Sequence, residues 1–374
     1  MSPTDRRIPL SPPWVGDEER EAVARAFDTG YVAPCGPQVE AFERKLARLS
    51  GRREAVAVAS GTAALDLLMD GLSVGPETVV IAPSLTFIAT VGPAWHRGAR
   101  LFFVDSLADG NLDCARLEEA LAAAAGASRR VVIGVDLYGR CCAADRAAGL
   151  CRRYGATFLC DCAESVGASR AGRPSGAAGL AAVYSFNGNK IVTTSGGGAI
   201  VTDSVALAAR ARKRSQQARE GVSWFEHRAV GYNYRLSNLL AAVGLAQLEK
   251  LPTILARRRA IRALYVRALP GLGFLPPVEG ENHWLTVALS RNRRERQRLL
   301  AALAADGIEA RPVWKPLHLQ PVFRGCRVFG GSVAEDLFNR GLCLPSGTGL
   351  VEADVRRIAG VLLRAEPRLG TRGE

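Results

Sequence analysis

The sequence predicts an α/β fold, with a doubly wound, mostly parallel sheet followed by a smaller α+β domain. Three observations lead there. Near-continuously apolar runs, rich in β-branched or aromatic residues, recur through the first part of the chain, as in strands covered on both faces. Segments of helical pattern fall between them, the rhythm of βαβ units. After about residue 245 that rhythm gives way to long helices, Pro/Gly-rich loops and isolated strands.

The elements follow in order. "EAVAVAS" (54–60) is a short apolar strand that passes at once into the helical pattern "GTAALDLLMDGL". "TVVIAPS" (78–84) and "RLFFVD" (100–105) are the next two strands. "LDCARLEEALAAAA" reads as a helix before the strand "RVVIGVDLYG" (130–139), and "DRAAGLCRRYG" as a helix before "TFLCDCAES" (157–165). "AAVYSF" (181–186) and "GGAIVTD" (197–203) are joined by a link too short for a crossover, which suits an antiparallel hairpin. The expected sheet therefore has seven strands, mostly parallel with one reversed. Beyond it come a long basic helix at roughly 246–268, the loop "LPGLGFLPPVEG" and the strand "HWLTVAL". The helix "RERQRLLAALAADG", a loop holding "RPVWKPLHLQPVF" and a last helix near 351–364 complete the chain. This divides it into a large domain at 1–245 and a small one at 246–374, with the N-terminal segment free to pack on the small domain.

Composition narrows the function. The 374 residues are 48% hydrophobic, ample for a sizeable core. No apolar run reaches the roughly 20 residues of a membrane span, and "MSPTDRRIPLSPPW" lacks the apolar centre of a signal peptide. A soluble, cytoplasmic protein is expected. Nine cysteines form no C-x-x-C pair, and the four histidines share no ligand-like spacing with them, so no metal site is expected and the thiols read as reduced. The net charge of +13 raises nucleic acid as a partner. Yet the arginines are scattered or lie on solvated helix faces, and no DNA- or RNA-binding signature accompanies them. A positive field that attracts a small polyanion accounts for the charge equally well.

In open α/β sheets ligands sit at the carboxyl ends of strands. Three candidates lie at such ends. "SGT" (60–62) stands between a strand and a helix, where Gly61 permits close approach and the helix N-terminus offers free N–H groups to an anion. Alone it is also an ordinary N-cap. Asp161 ends an apolar strand, where a carboxylate is costly to bury without a cation or a donor. Lys190 follows Ser185 by five residues in "SFNGNKIVTTSGGG", and only five of the 49 basic residues are Lys. A phosphate cradle, a carboxylate for a pyridinium and a lysine for a Schiff base are the parts that a pyridoxal phosphate site needs.

At these residues the sequence resembles the sugar aminotransferases of the DegT/DnrJ/EryC1/StrS group. The resemblance runs through "GYVAPCGPQVEAFE", "SGTAAL", "PSLTFIAT", "DCAESVGA", "YSFNGNKIVTTSGGG", "GYNYRLSNLLAAVGLAQLE", "IEARPVWKPLHLQPVF" and "GLCLPSG". It implies the fold-type-I pyridoxal phosphate architecture. The forms "SFNGNK" and "ARPVWKPLHLQPVF" resemble the subgroup that aminates UDP-linked 4-keto-6-deoxy-N-acetylhexosamines in bacillosamine-type and pilin-glycan pathways.

The resemblance implies a role for each residue. Lys190 is the Schiff-base lysine and moves the proton. Asp161 pairs with the pyridine nitrogen, and Glu164 approaches the ring hydroxyl. Phe87 stacks on the ring, while Gly61, Thr62 and Ser185 bind the phosphate. Asn233 reaches the phosphate of a neighbouring subunit, which implies a homodimer with shared sites. Asn187 and His318 are expected to contact the sugar, with Trp314 and Arg228 as further candidates. The implied reaction passes an amino group from L-glutamate to a nucleotide-linked keto sugar, with pyridoxamine 5′-phosphate as the cofactor's second form. A 3-keto sugar, a cyclitol ketone or a dTDP- or GDP-linked sugar is an alternative acceptor. A dehydratase branch with histidine in place of the lysine is opposed by Lys190. A basic regulatory nucleic-acid-binding protein is the reading from another class.

Overall fold

The computed structural model describes residues 6–371; residues 1–5 and 372–374, the outer ends of the two expected domains, lie outside the described residues. Two helices come first, α1 (Asp17–Asp28) and α2 (Pro37–Ser50). Then strands and helices alternate: β1 (Glu54–Val58), α3 (Gly61–Gly71), β2 (Thr78–Pro83), α4 (Gly92–His96) and β3 (Arg100–Val104). Next are α5 (Cys114–Ala123), β4 (Arg129–Val135), α6 (Ala144–Arg153) and β5 (Thr157–Asp161). A two-residue hairpin, β6 (Ser169–Arg170) with β7 (Arg173–Pro174), precedes β8 (Ala181–Ser185) and β9 (Gly198–Thr202).

All seven expected strands form, in the order β1-β9-β8-β5-β4-β2-β3. β9 is the reversed strand: it pairs antiparallel with β8, Ala181 opposite Thr202 through Ser185 opposite Gly198, and antiparallel with β1. The sheet has eight strands rather than seven, because a short segment far down the chain, Arg327–Phe329, adds parallel to β3 at the edge. Along β2, Val79 and Ile81 face one core with Phe42 of α2, Leu117 of α5 and Leu150 of α6. Val80 and Ala82 face the other with Leu65 and Leu68 of α3. This period-two division is why the strands read as continuously apolar.

After β9 come α7 (Val205–Arg214), α8 (Asn238–Glu249) and α9 (Leu251–Ala268). The single basic helix expected at 246–268 is instead two helices that meet at 61° beside Lys250. Pro252 has no N–H to continue α8 but fits the first turn of α9. Residue 245, the expected end of the first domain, falls inside α8. The remaining elements are β10 (Gly273–Phe274), β11 (Thr286–Leu289), α10 (Arg293–Ala305), β12 (Arg311–Pro312), β13 (the edge segment Arg327–Phe329), α11 (Ser332–Arg340), β14 (Gly341–Leu344) and α12 (Glu352–Ala365). A second sheet in the order β10-β11-β14-β12 packs against α9, α10 and α12 around Tyr265, Leu299, Leu342 and Leu362. The N-terminal segment lies on this layer, with Ile8 N–H bonded to Gly307 O and Glu309 N–H to Ile8 O. Among the described residues no single helix is long and apolar enough to cross a membrane.

Candidate active site

One cavity of about 370 Å³ opens at the carboxyl ends of β5 and β8. It is lined by Gly61, Thr62, Phe87, Asp161, Glu164, Ser185, Asn187 and Lys190, residues drawn from well-separated stretches of sequence.

The anion end is built by α3. The hydroxyl of Ser60 accepts from Ala63 N–H and so caps the helix. The N–H groups of Gly61 and Thr62, at the positive end of the helix dipole, have no partner within the helix. Ser185, the last residue of β8, packs against them; a Cβ on Gly61 would stand 3.1 Å from Ser185 Cβ. The returning strand is as tight. A Cβ on Gly198 would come within 2.4 Å of Ser60 carbonyl carbon, so only glycine lets β9 pass there.

The carboxylate end is Asp161, buried where β5 ends. Thr90 Oγ1 donates to its Oδ2 at 2.8 Å and Ala163 N–H to its Oδ1 at 3.1 Å. Among the described residues no basic nitrogen lies within 4.0 Å of it. Burial pushes the Asp161 carboxyl above its usual range, against the opposing pull of Thr90, Ala163 and Lys190. Glu164 is likewise buried and pushed up by burial, although Lys190 and the Tyr138 N–H favour its charge. Tyr138 N–H donates to Glu164 Oε2 at 2.6 Å, and Lys190 Nζ lies 3.5 Å from Glu164 Oε1.

Lys190 sits in the connection between β8 and β9, where its N–H bonds Asn187 O. The connection is pinned by Phe186 N–H to Gly197 O and Thr194 N–H to Phe186 O. The Lys190 ammonium stands over the ring of Trp284, 3.9 Å from its centroid. Trp284 stacks with Tyr138, Tyr138 with Trp314, and Trp314 lies 5.3 Å from Phe87, so one wall is aromatic along its length. Phe87 itself is half exposed.

Three expected residues are not in the cavity lining. His318, expected at the sugar, lies outside this lining: its Nδ1 meets Ser84 Oγ, its Nε2 lies 3.1 Å from Glu335 Oε1, and its side chain is 9% exposed. It anchors the start of the segment that carries Phe87 and Thr90. Asn233 is exposed and bridges Gln216 through the backbone, away from this chain's own cavity. Arg228 is exposed beside Glu226. Trp314 does line the cavity. Sequence reasoning missed Trp284, Thr90, Thr86 and Asn189, which also line it. Thr90 could have been found, since it lies one helical turn beyond Phe87 in "TFIAT"; Trp284 carried no such signal.

On the other face of β5, Asp136, Cys160 and Cys162 hold their ligand-type atoms within 4.8 Å of one another, a grouping the search for C-x-x-C could not see. Both oxygens of Asp136 already have donors: Cys142 N–H at 2.9 Å, and the Ser165 and Ser175 hydroxyls at 2.8 and 3.0 Å. The cluster thus reads as a saturated buried anchor beneath the strand that ends in Asp161.

The cavity combines anion donors, a buried carboxylate suited to a cationic partner, and a primary amine between them. Residues 13–363 match the family described as DegT/DnrJ/EryC1/StrS aminotransferases. EpsN of Bacillus subtilis (strain 168), named as a pyridoxal phosphate-dependent aminotransferase, is 42% identical over 96% of this chain and 95% of its own length. GDP-perosamine synthase of Caulobacter vibrioides is 35% identical over 95% of this chain and 97% of its own. Among solved structures, a DegT DnrJ EryC1 StrS aminotransferase from Brucella abortus superposes with a TM-score of 0.86 at 31% identity, covering 92% of this chain and 94% of that one.

Proposed function

Because the chain belongs to the DegT/DnrJ/EryC1/StrS aminotransferase family, and so is a pyridoxal phosphate-dependent aminotransferase, we propose that it carries an amino group from L-glutamate to the keto carbon of a nucleotide-linked sugar. The acceptor we favour is C4 of a UDP-2-acetamido-4-keto-6-deoxyhexose, on the forms of "SFNGNK" and "ARPVWKPLHLQPVF". One observation carries the reading: Asp161, Lys190 and the first turn of α3 open on the same cavity. The residues fit the cofactor. Asp161 is a buried carboxylate without an ion pair among the described residues, as a protonated ring nitrogen requires, and the N–H groups at the start of α3 suit a phosphate.

When bound, pyridoxal phosphate supplies the electron sink and carries the amino group. The chain supplies the rest. Lys190 Nζ would hold the cofactor through its aldehyde and would move the proton to and from the substrate carbon. Asp161 keeps the ring nitrogen protonated, oriented by Thr90 and Ala163. Glu164 would meet the ring hydroxyl, and Phe87 would cover the ring. Gly61, Thr62 and Ser185 hold the phosphate, and Asn187 faces the sugar.

Asn233 is assigned to the phosphate of a second copy, in a homodimer with shared sites. Trp224, Phe225 and Val230, in the segment leading to it, are 61%, 79% and 88% exposed, an apolar surface of the kind a partner covers. Mixing inactive Lys190→Ala and Asn233→Ala chains then restores activity, since one site of each mixed dimer is intact; no recovery sinks the shared site.

The test of the function is mass spectrometry of amino transfer from glutamate to UDP-, GDP- and dTDP-linked 4-keto-6-deoxy sugars. Transfer to the UDP sugar is expected. The name of the Caulobacter relative favours a GDP-linked sugar as the second reading, and preference for that acceptor would replace the first. No transfer to any of them would reject both.

A further inference from the structure

Trp284 lies 94 positions from Lys190 in sequence and comes from the segment before β11, yet it is buried against the lysine. Its indole face carries the ammonium at 3.9 Å, while its Nε1–H donates to Asn189 O at 2.7 Å, one residue before the lysine. Ser11 Oγ donates to the same carbonyl at 2.9 Å. Arg258, itself fully buried on α9, ties these groups together. It donates to Trp284 O at 2.7 Å, to Thr348 Oγ1 at 3.0 Å and to Ser11 Oγ at 3.3 Å. Asn282 fixes the approach of the segment: its Oδ1 accepts from Trp284 N–H at 2.9 Å, and its Nδ2 donates to the carbonyls of Glu164 and Val166 at 3.0 Å each.

Resting on the function proposed above, we infer that Trp284 is a positioning residue. Its indole face is the place where Lys190, once it has taken up the proton, waits while it is not bonded to the cofactor, and its N–H holds the lysine's loop at the right distance. Physical chemistry supports both parts. An aminotransferase frees its lysine in every half-reaction, and a lysine that has taken up a proton while only 13% exposed needs partners. Glu164 supplies one at 3.5 Å. A carboxylate alone would hold the charge too firmly for a group that must deliver protons. A ring face attracts a cation without taking a proton from it, and does so most strongly when water is excluded. The anchoring atoms come from α9, the N-terminal segment and the Thr348 loop, so the second layer of the molecule sets where the lysine swings.

The chain's five lysines make a direct test practical. The full-length enzyme, in its pyridoxamine phosphate form, is reductively methylated with ¹³C-formaldehyde and examined by NMR. Lys190 is assigned by its disappearance in Lys190→Arg. The indole ring current is expected to move the Lys190 methyl resonance upfield of exposed Lys213. Lys250, which stands 4.7 Å from the Trp14 ring centroid, supplies an internal positive control. A Lys190 resonance at the position of Lys213 in the wild type would overturn the inference, with no mutant needed.

Kinetics separate the two parts of the role. Trp284→Leu removes face and N–H and should lower kcat about tenfold while KM for glutamate moves less than twofold. Trp284→Phe keeps a face and should recover most of the loss. Equal kcat in wild type and a folded Trp284→Leu would also overturn it. Failure of the function itself reads out separately, as no borohydride-fixed cofactor on Lys190 of the wild type.

Discussion

The inner and outer halves of the cavity are built on different plans. The inner half is buried and over-determined: Asp161 is held by Thr90 and Ala163, Glu164 by Tyr138, and the lysine's loop by Trp284 and Ser11. The outer half is Phe87, half exposed, and Asn187, exposed, with hydrogen bonds mainly to its own loop. Cofactor chemistry demands geometry that does not change, and the core imposes it. In the function proposed above, the acceptor is met by exposed loops, which vary at little cost to folding.

The largest effect belongs to the inner half. Lys190→Ala should lower transfer by about a thousandfold or more and leave the protein colourless, measured by turnover and by absorbance with added pyridoxal phosphate. Near-normal turnover would erase the contrast at once. Asp161→Asn should cost about a hundredfold in kcat, because the partner proposed for the ring nitrogen loses its charge.

The same change has the opposite effect on the cofactor-free protein. The folded-state pKa of Asp161 is raised by burial, so folding is favoured when the carboxyl is protonated. That contribution is fully present below the ordinary carboxylate range and is lost as pH rises through the raised value. At pH 7 the cofactor-free Asp161→Asn protein should melt about 2–4 °C above wild type, and the gap should close toward pH 4. A mutant that melts below wild type at pH 7 would show that Asp161 is satisfied without a ligand.

Effects should shrink toward the rim. Phe87→Ala should weaken cofactor retention by about tenfold at most, read from the dissociation of pyridoxamine phosphate, because a half-exposed ring has one face to contribute. His318→Ala should leave KM for the sugar within about threefold and instead lower the melting temperature by a few degrees, since its ring ties Ser84 to Glu335. A large rise in KM would return His318 to the sugar site.

The contrast also governs how much could be read in the sequence. The seven strands were legible because both faces are covered and each strand is therefore continuously apolar. The eighth, Arg327–Phe329, was not: it is three residues long, begins with arginine and pairs on one side only. Helix α2 has polar residues throughout, and its first turn is completed from afar, by Asn238 Oδ1 accepting from Gln38 and Val39 N–H. Asp161, Lys190 and the "SGT" turn were legible because each breaks a local rule: a carboxylate in an apolar strand, a lysine in an arginine-rich chain, a glycine opening a helix. Trp284 breaks none. A tryptophan before a strand is ordinary core material until folding brings it over Lys190.

Lys190 is proposed above as the residue through which the chain holds its cofactor. Wild-type protein reduced with borohydride in the presence of pyridoxal phosphate, digested and mapped by mass spectrometry, tests it directly. One phosphopyridoxyl group per chain is expected, on the peptide that contains Lys190. A reduced adduct on any of the other four lysines, or none at all, would contradict it.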